Sequence, residues 1–287
     1  MNFKPILIVP GEPKSVFFEI FFKSLRLTKI KSPLIIICNK KILLKEIKKF
    51  NFSKKIEELN KFKIDRKNIK RKKIYFINIS NNNPNIYIKK CFEFAFSLLK
   101  KNLTNKFING PINKAKTLKR KYLGVTEYIS HSFKQKKFAM LIYNENLSVC
   151  PITTHLPLSQ ISKKINQKLI KEKIVTVNNF YKKFLGFKPK IGVTGLNPHC
   201  ESVLNFNEDE KIILPAIKSL KKKIKVQGPF PADTIFLGNN RKKFDVIIGM
   251  YHDQVLTPIK TLFEYDAINI TLGLPFLRIT PDMVYEK

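Results

Sequence analysis

Only four histidines occur in the 287 residues, and three stand in matching contexts. His155 follows LSVCPITT, His199 follows IGVTGLNP and His252 follows FDVIIGMY, so each comes at or just past the end of a short apolar run. In open α/β sheets ligands bind in the crevice outside the C-terminal strand ends, so three separate strands can deliver these imidazoles to one place. Imidazole is the commonest side-chain metal ligand, and three of them with one open position describe a catalytic metal centre. The competing reading is three unrelated histidines, each satisfied in its own loop, and the spacings alone leave both open. Asp233, in GPFPADT, and Asp253, beside His252, bring carboxylates near the same strand ends. There they are candidates for proton transfer, or for holding a ligating imidazole in orientation. His131, in YISHSF, has no such context and is read as structural.

Three further residues suit an anionic substrate. Lys260 closes YHDQVLTPIK, Asn269 lies in INITLG and Arg278 closes LGLPFLR. Of the 55 Lys+Arg only six are Arg, leaving 49 Lys, so an Arg retained at 278 suggests a demand for the guanidinium fork. Asn113 and Lys114, in NGPINKAKT, read as a polar loop opening a helix, whose amides can approach an anion.

The elements that must position these residues alternate along the chain. Ile6–Val9, Leu34–Cys38 and Ile74–Ile77 are short apolar runs bounded by turn residues and read as buried strands. Ser15–Leu25, Lys41–Lys49 and Tyr87–Lys101 have helical spacing. Further strands are expected at Phe138–Tyr143, Leu147–Thr153, Lys190–Thr194, Phe244–Met250 and Ala267–Leu272, with helices over Leu158–Phe184 and Asn207–Lys223. This alternation predicts an α/β fold with a largely parallel sheet. The runs at 138–143 and 147–153, joined by Asn144-Glu145-Asn146, predict a hairpin and so some antiparallel strands. No GxGxxG or P-loop spacing occurs, which excludes the ordinary Rossmann and P-loop fingerprints.

Composition sets the class. A hydrophobic share of 44% excludes a disordered tail, and no uninterrupted apolar stretch has the length of a membrane span. The formal charge of +34 invites a nucleic-acid reading. The bias to Lys over Arg argues against it, because base-edge recognition leans on the Arg fork. Lys, Asn, Ile and Phe are abundant while Trp is absent, the pattern expected of A+T-rich codon usage. Cys38, Cys91, Cys150 and Cys200 form no CxxC pair, consistent with a reducing compartment, and no signal peptide is evident, so a cytoplasmic location is expected.

At these residues the sequence resembles the 4-hydroxythreonine-4-phosphate dehydrogenases of pyridoxal-phosphate biosynthesis. The matching segments are PGEP at 10–13, GPINKA at 110–115, TEY at 126–128, TTHLPL at 153–158, GLNPH at 195–199, GPFPADT at 228–234, YHDQ at 251–254 and NITLGLPF at 269–276. They keep the family order across nearly the whole chain, and eight in order are highly specific. The resemblance implies a two-domain α/β/α fold of the isocitrate/isopropylmalate dehydrogenase type, in a homodimer with the site in the interdomain cleft. The first domain would comprise 1–127 and 279–287, lacking its C-terminal part, and the second 128–278. The resemblance further implies that His155, His199 and His252 bind a divalent metal (Zn2+, Mg2+ or Co2+) at the dimer interface. Thr126, Lys260, Asn269 and Arg278 would contact the phosphorylated substrate, with Asp253 and Asp233 as the catalytic carboxylates. The implied activity is NAD-dependent oxidation (NADP being the alternative acceptor) of 4-phosphooxy-L-threonine, followed by loss of CO2 to 3-amino-2-oxopropyl phosphate.

The chain departs from the family pattern at four places. Val125 replaces the His of His-Thr-Glu, a residue that touches substrate in relatives, and Val255 replaces the Gly after YHDQ. The turn after PGEP reads Lys14-Ser15-Val16-Phe17-Phe18, and Asp282-Met283-Val284-Tyr285 stands for Asp-His-Gly-Thr. The alternatives carried with the leading reading are an inactive family remnant and a polyanion-binding protein. Neither a membrane nor a nucleic acid is the expected partner.

Overall fold

The computed structural model describes residues 3–80, 83–113, 117–118, 122, 124–202 and 206–281. Lys114 and residues 282–287, on which part of the sequence reading falls, lie outside the described residues. The chain divides into two units, Met1–Val125 with Pro275–Thr280, and Thr126–Leu274. Both are α/β, with parallel strand pairs in the first and a mixture of parallel and antiparallel pairs in the second.

In the first unit, β1 (Ile6–Val9), β2 (Leu34–Cys38), β3 (Ile56–Glu58), β4 (Ile74–Asn78) and β5 (Lys106–Asn109) are joined late by β12 (Leu277–Pro281). The spatial order is β3-β4-β2-β1-β5-β12, every pair parallel. Parallel strands need crossovers, here the helices α1 (Phe17–Leu27), α2 (Lys40–Lys49) and α3 (Pro84–Lys100). α1 forms because Phe17, Phe18, Phe21, Phe22 and Leu25 recur on one face and are buried there. Phe22 stacks on Phe52 with ring centroids 4.5 Å apart. α2 starts where the Asn39 side chain accepts from the backbone N–H of Lys41 at 2.8 Å, replacing an acceptor the first turn lacks. The sequence boundary had put residues 275–278 in the second unit. Leu277–Ile279 instead pair with Lys106–Ile108, which draws Arg278 into the first.

The second unit holds β6 (Ala139–Tyr143), β7 (Ser148–Pro151), β8 (Ile191–Thr194), β9 (Val226–Phe230), β10 (Val246–Gly249) and β11 (Ile268–Leu272). Their order is β11-β6-β7-β10-β8-β9. The expected hairpin is present: β6 pairs antiparallel with β7 and also with β11. β7, β10 and β8 are parallel neighbours, each fully buried. Three helices matter for the site, α4 (Val125–Ser132), α5 (Gln167–Phe180) and α6 (His252–Phe263).

The single helix expected over Leu158–Phe184 is broken. Ile165 is extended at φ −70°, ψ 129°, and Asn166 then caps α5 by accepting from Leu169 N–H at 2.9 Å. α5 buries Ile170, Ile174, Val177 and Phe180 and runs on into a π turn, Tyr181–Leu185, that ends at Gly186 with φ 81°. The helix expected over Asn207–Lys223 is likewise a π turn, Asp209–Ile213, followed by a short helix, Leu214–Lys218. Among the described residues no helix is long and apolar enough to cross a membrane.

Candidate functional site

Because β7, β10 and β8 lie side by side and parallel, their C-terminal ends open on one edge of the second unit. Each is followed by one of the three histidines. His155 comes four residues after β7, His252 is the first residue of α6 just beyond β10, and His199 lies in the turn after β8.

The His155 and His252 rings approach to 5.9 Å between centroids. Each turns Nδ1 towards a carboxylate. His252 Nδ1 is 2.6 Å from Asp253 Oδ1, and His155 Nδ1 is 3.9 Å from Glu127 Oε1. A carboxylate on Nδ1 favours the tautomer with its proton there and leaves Nε2 as the lone-pair donor, the form in which imidazole ligates a cation. The pair therefore fits a divalent metal. His199 is not grouped with them: among the described residues of one chain, no three His, Cys, Asp or Glu side chains are close enough to hold a metal.

Glu127 is the residue that sequence reasoning passed over. It stands in the TEY segment, but only Thr126 had been given a role there. Burial would push its carboxyl up. The pairing with His155, its own backbone N–H and the Thr154 hydroxyl, which donates to Oε1 at 3.1 Å, outweigh burial and hold it below the ordinary range. Its Oε2 is buried without a hydrogen-bond partner among the described residues.

His199 sits in a strained turn. Its φ is 55° and that of Cys200 is 62°, a left-handed conformation that costs a non-glycine residue about 1 kcal/mol or more and gathers at functional sites. The turn is held from below by Asp209, a buried carboxylate. Asp209 accepts from the backbone N–H of Leu196 at 2.7 Å and of Asn197 at 3.1 Å, and from the Asn197 amide at 2.9 Å. A side chain at Gly195 would stand 2.5 Å from Asp209 Oδ1, so a glycine is needed for that approach. Burial, Asp209 and Asp233 push the Cys200 thiol up to about 11, against the donation from Gly195 N–H. Asp233 thus lies within electrostatic reach of the His199 turn. It is exposed, on the short helix Ala232–Ile235.

The residues assigned to the substrate fall in both units. Thr126 and Thr271 place their hydroxyls 3.4 Å apart, and Lys260 is half-buried in the last turn of α6. Asn269 Oδ1 is buried without a hydrogen bond among the described residues. Arg278, on β12 in the first unit, is only 2% exposed, and its Nε donates to Asn109 Oδ1 at 2.8 Å. In the same unit the PGEP and GPIN turns lock together, Glu12 N–H donating to Pro111 O and Asn113 N–H to Glu12 Oε1, at 2.8 and 2.9 Å.

Val125 opens α4 immediately before Thr126 and Glu127. Val255 is fully buried and packs against Gly249, where an added Cβ would collide with its Cγ1.

The family profile described as pyridoxal phosphate biosynthetic protein PdxA matches residues 29–284. A 4-hydroxythreonine-4-phosphate dehydrogenase from Sulfurihydrogenibium sp. is 34% identical over 96% of this chain and 89% of its own length. A D-threonate 4-phosphate dehydrogenase from Pectobacterium atrosepticum is 33% identical over 67% of this chain and 60% of its own. The structure of a 4-hydroxythreonine-4-phosphate dehydrogenase from Klebsiella pneumoniae superposes with a TM-score of 0.79 at 28% identity, covering 98% of this chain and 91% of that one.

Proposed function

This chain belongs to the pyridoxal phosphate biosynthetic protein PdxA family, and from that premise we propose that it is a homodimeric, metal- and NAD-dependent dehydrogenase that oxidises 4-phosphooxy-L-threonine. The observation that carries the reading is the His155–His252 pair, each ring backed on Nδ1 by a carboxylate, on one edge of parallel strands.

When bound, a divalent metal (Zn2+, Mg2+ or Co2+) supplies Lewis-acid acidification of the substrate hydroxyl, and the nicotinamide supplies the hydride acceptor. In this reading His155 and His252 offer Nε2 to the cation, with His199 as third ligand of the shared site. Asp253 spends Oδ1 on the His252 ring and so holds its tautomer. Asp233, exposed on its short helix within electrostatic reach of the His199 turn, takes the proton that leaves the hydroxyl. Lys260 and Arg278 hold the phosphate, a remote grip that fixes the reacting carbon in register. Thr126 and Asn269 orient the remainder of the substrate. Loss of CO2 from the β-keto acid then gives 3-amino-2-oxopropyl phosphate.

The D-threonate 4-phosphate dehydrogenase relative, with Val125 at the helix start beside Thr126, supports a second substrate for the same chemistry. The test offers purified protein a divalent metal and NAD, with either phosphorylated compound, and follows NADH. NADH with 4-phosphooxy-L-threonine is the expected result. NADH with D-threonate 4-phosphate alone moves the assignment to the second substrate. No NADH with either, from a folded dimer, overturns the enzyme reading.

A further inference from the structure

Gln254, the last residue of the YHDQ segment, is used by nothing described so far, yet its amide makes three hydrogen bonds across two strand ends. Oε1 accepts from Met250 N–H at 2.7 Å and from the Thr194 hydroxyl at 2.8 Å, while Nε2 donates to Gly195 O at 2.8 Å. Met250 N–H can only donate and Gly195 O can only accept, so the orientation of the amide is determined by its partners. Thr194 ends β8, and Gly195 begins the turn that carries His199. Met250 follows β10 and precedes His252 by two residues.

Met250 is also held through the peptide that follows it. Its carbonyl accepts from the Thr153 hydroxyl at 2.8 Å and from Thr153 N–H at 3.2 Å, and Thr153 leads to His155. Met250 is therefore gripped through its N–H by Gln254 and through its C=O by Thr153, one on each side of its Cα. Only the Gln254 tie continues to β8. Gly249 makes room for it: an added Cβ there would stand 3.0 Å from Gln254 Oε1 and collide with Val255. The residue is exacting in type, since the bridge needs an acceptor and a donor on one planar group in a half-buried place.

We propose that Gln254 is a positioning residue of the metal centre, fixing the turn that presents His199 against the strand end that presents His252. This rests on the reading of His155, His199 and His252 as ligands. Partners that orient metal ligands typically contribute about 10–100-fold in metal affinity when they are removed. The amide acts through neutral hydrogen bonds and touches none of the reacting atoms, so its loss should appear first in metal binding and only through that in turnover.

The test is Co2+ titration of the full chain, read by the visible absorption of the bound ion, beside metal-free thermal melting. Gln254→Glu keeps the acceptor for Met250 and Thr194 and turns the donor facing Gly195 O into an acceptor. Gln254→Met removes all three bonds at similar size. Both should bind Co2+ about 10–100-fold more weakly than wild type, with an altered absorption band. Ile259→Val, which thins the core on the same helix, should lower the melting temperature and leave the Co2+ band and affinity alone. If Gln254→Met does not fold, Gln254→Glu decides. Wild-type Co2+ affinity in Gln254→Glu overturns the proposal, as does an affinity loss of the same size in Ile259→Val. A wild-type chain that binds no Co2+ overturns instead the ligand reading beneath it.

Discussion

Removing the Asp209 carboxylate should destabilise the fold by an amount that can be worked from its contacts. In Asp209→Ala the backbone N–H groups of Leu196 and Asn197 lose the acceptor they reach at 2.7 and 3.1 Å. The Asn197 amide keeps a bond to Glu208 Oε2 at 3.0 Å, so the two backbone donors carry the loss. An orphaned buried donor costs about 1–3 kcal/mol. Leu196 and Asn197 are half-buried, which puts each near the lower half of that range and the sum at about 3 kcal/mol. Domains of this size lose about 2–4 °C in melting temperature per kcal/mol, so a fall of about 9 °C is expected. Asp209→Asn retains one oxygen and should lose about half as much. Thermal melting by circular dichroism of the metal-free protein measures both, with urea unfolding at unchanged m-value as the check that two-state behaviour holds. An Asp209→Ala melting temperature within about 2 °C of wild type would show that water replaces the carboxylate, and would refute this account of how the His199 turn is held.

Three further outcomes follow from the same structure. Burial pushes the Cys91 and Cys150 thiols from 9.0 up to about 12. Because the folded-state values are raised, their contribution is fully present below about pH 9 and is lost as pH rises towards 12. Melting temperature should fall across that window and fall less in Cys91→Ala/Cys150→Ala, and parallel limbs in the two proteins would refute the assignment to the thiols. At Gly110 an added Cβ would run into Pro10 O and stand 2.5 Å from the Phe17 ring, so Gly110→Ala should cost at least about 1–3 kcal/mol by overpacking, checked by urea unfolding. Arg278→Lys loses the Nε bond to Asn109 and the planar fork; if Arg278 holds the phosphate, KM should rise by about 10-fold or more with a smaller change in kcat, and an unchanged KM would remove it from the substrate site.

Local pattern made much of the architecture legible. Ile6–Val9 and Leu34–Cys38 match their apolar runs residue for residue, because a buried parallel strand must be apolar throughout and turn residues bound it. The same logic fails where a local hydrogen bond competes with periodicity. Apolar spacing carries on through 158–184, but Ile165 turns extended and Asn166 restarts the helix, so the single expected element is several. β12 is a different case. Leu277–Ile279 pair with residues about 170 positions earlier, and no local signal reports so distant a partner. Glu127 and Gln254 lie in the TEY and YHDQ segments, but their roles are not legible there, since what each does depends on a neighbour distant in sequence.

The sequence by itself determined the alternation of strands and helices, the placing of three histidines after apolar runs, and the ordered segments that mark the family. These are properties of local periodicity and residue chemistry, which a chain displays before it folds. Only the tertiary structure decided which histidines meet. Strand order places β10 between β7 and β8, which brings His155 and His252 to 5.9 Å while His199 stands beyond, in a left-handed turn over a buried carboxylate. Strand order is set by burying all the sheet faces at once, a global condition that no single run of residues encodes.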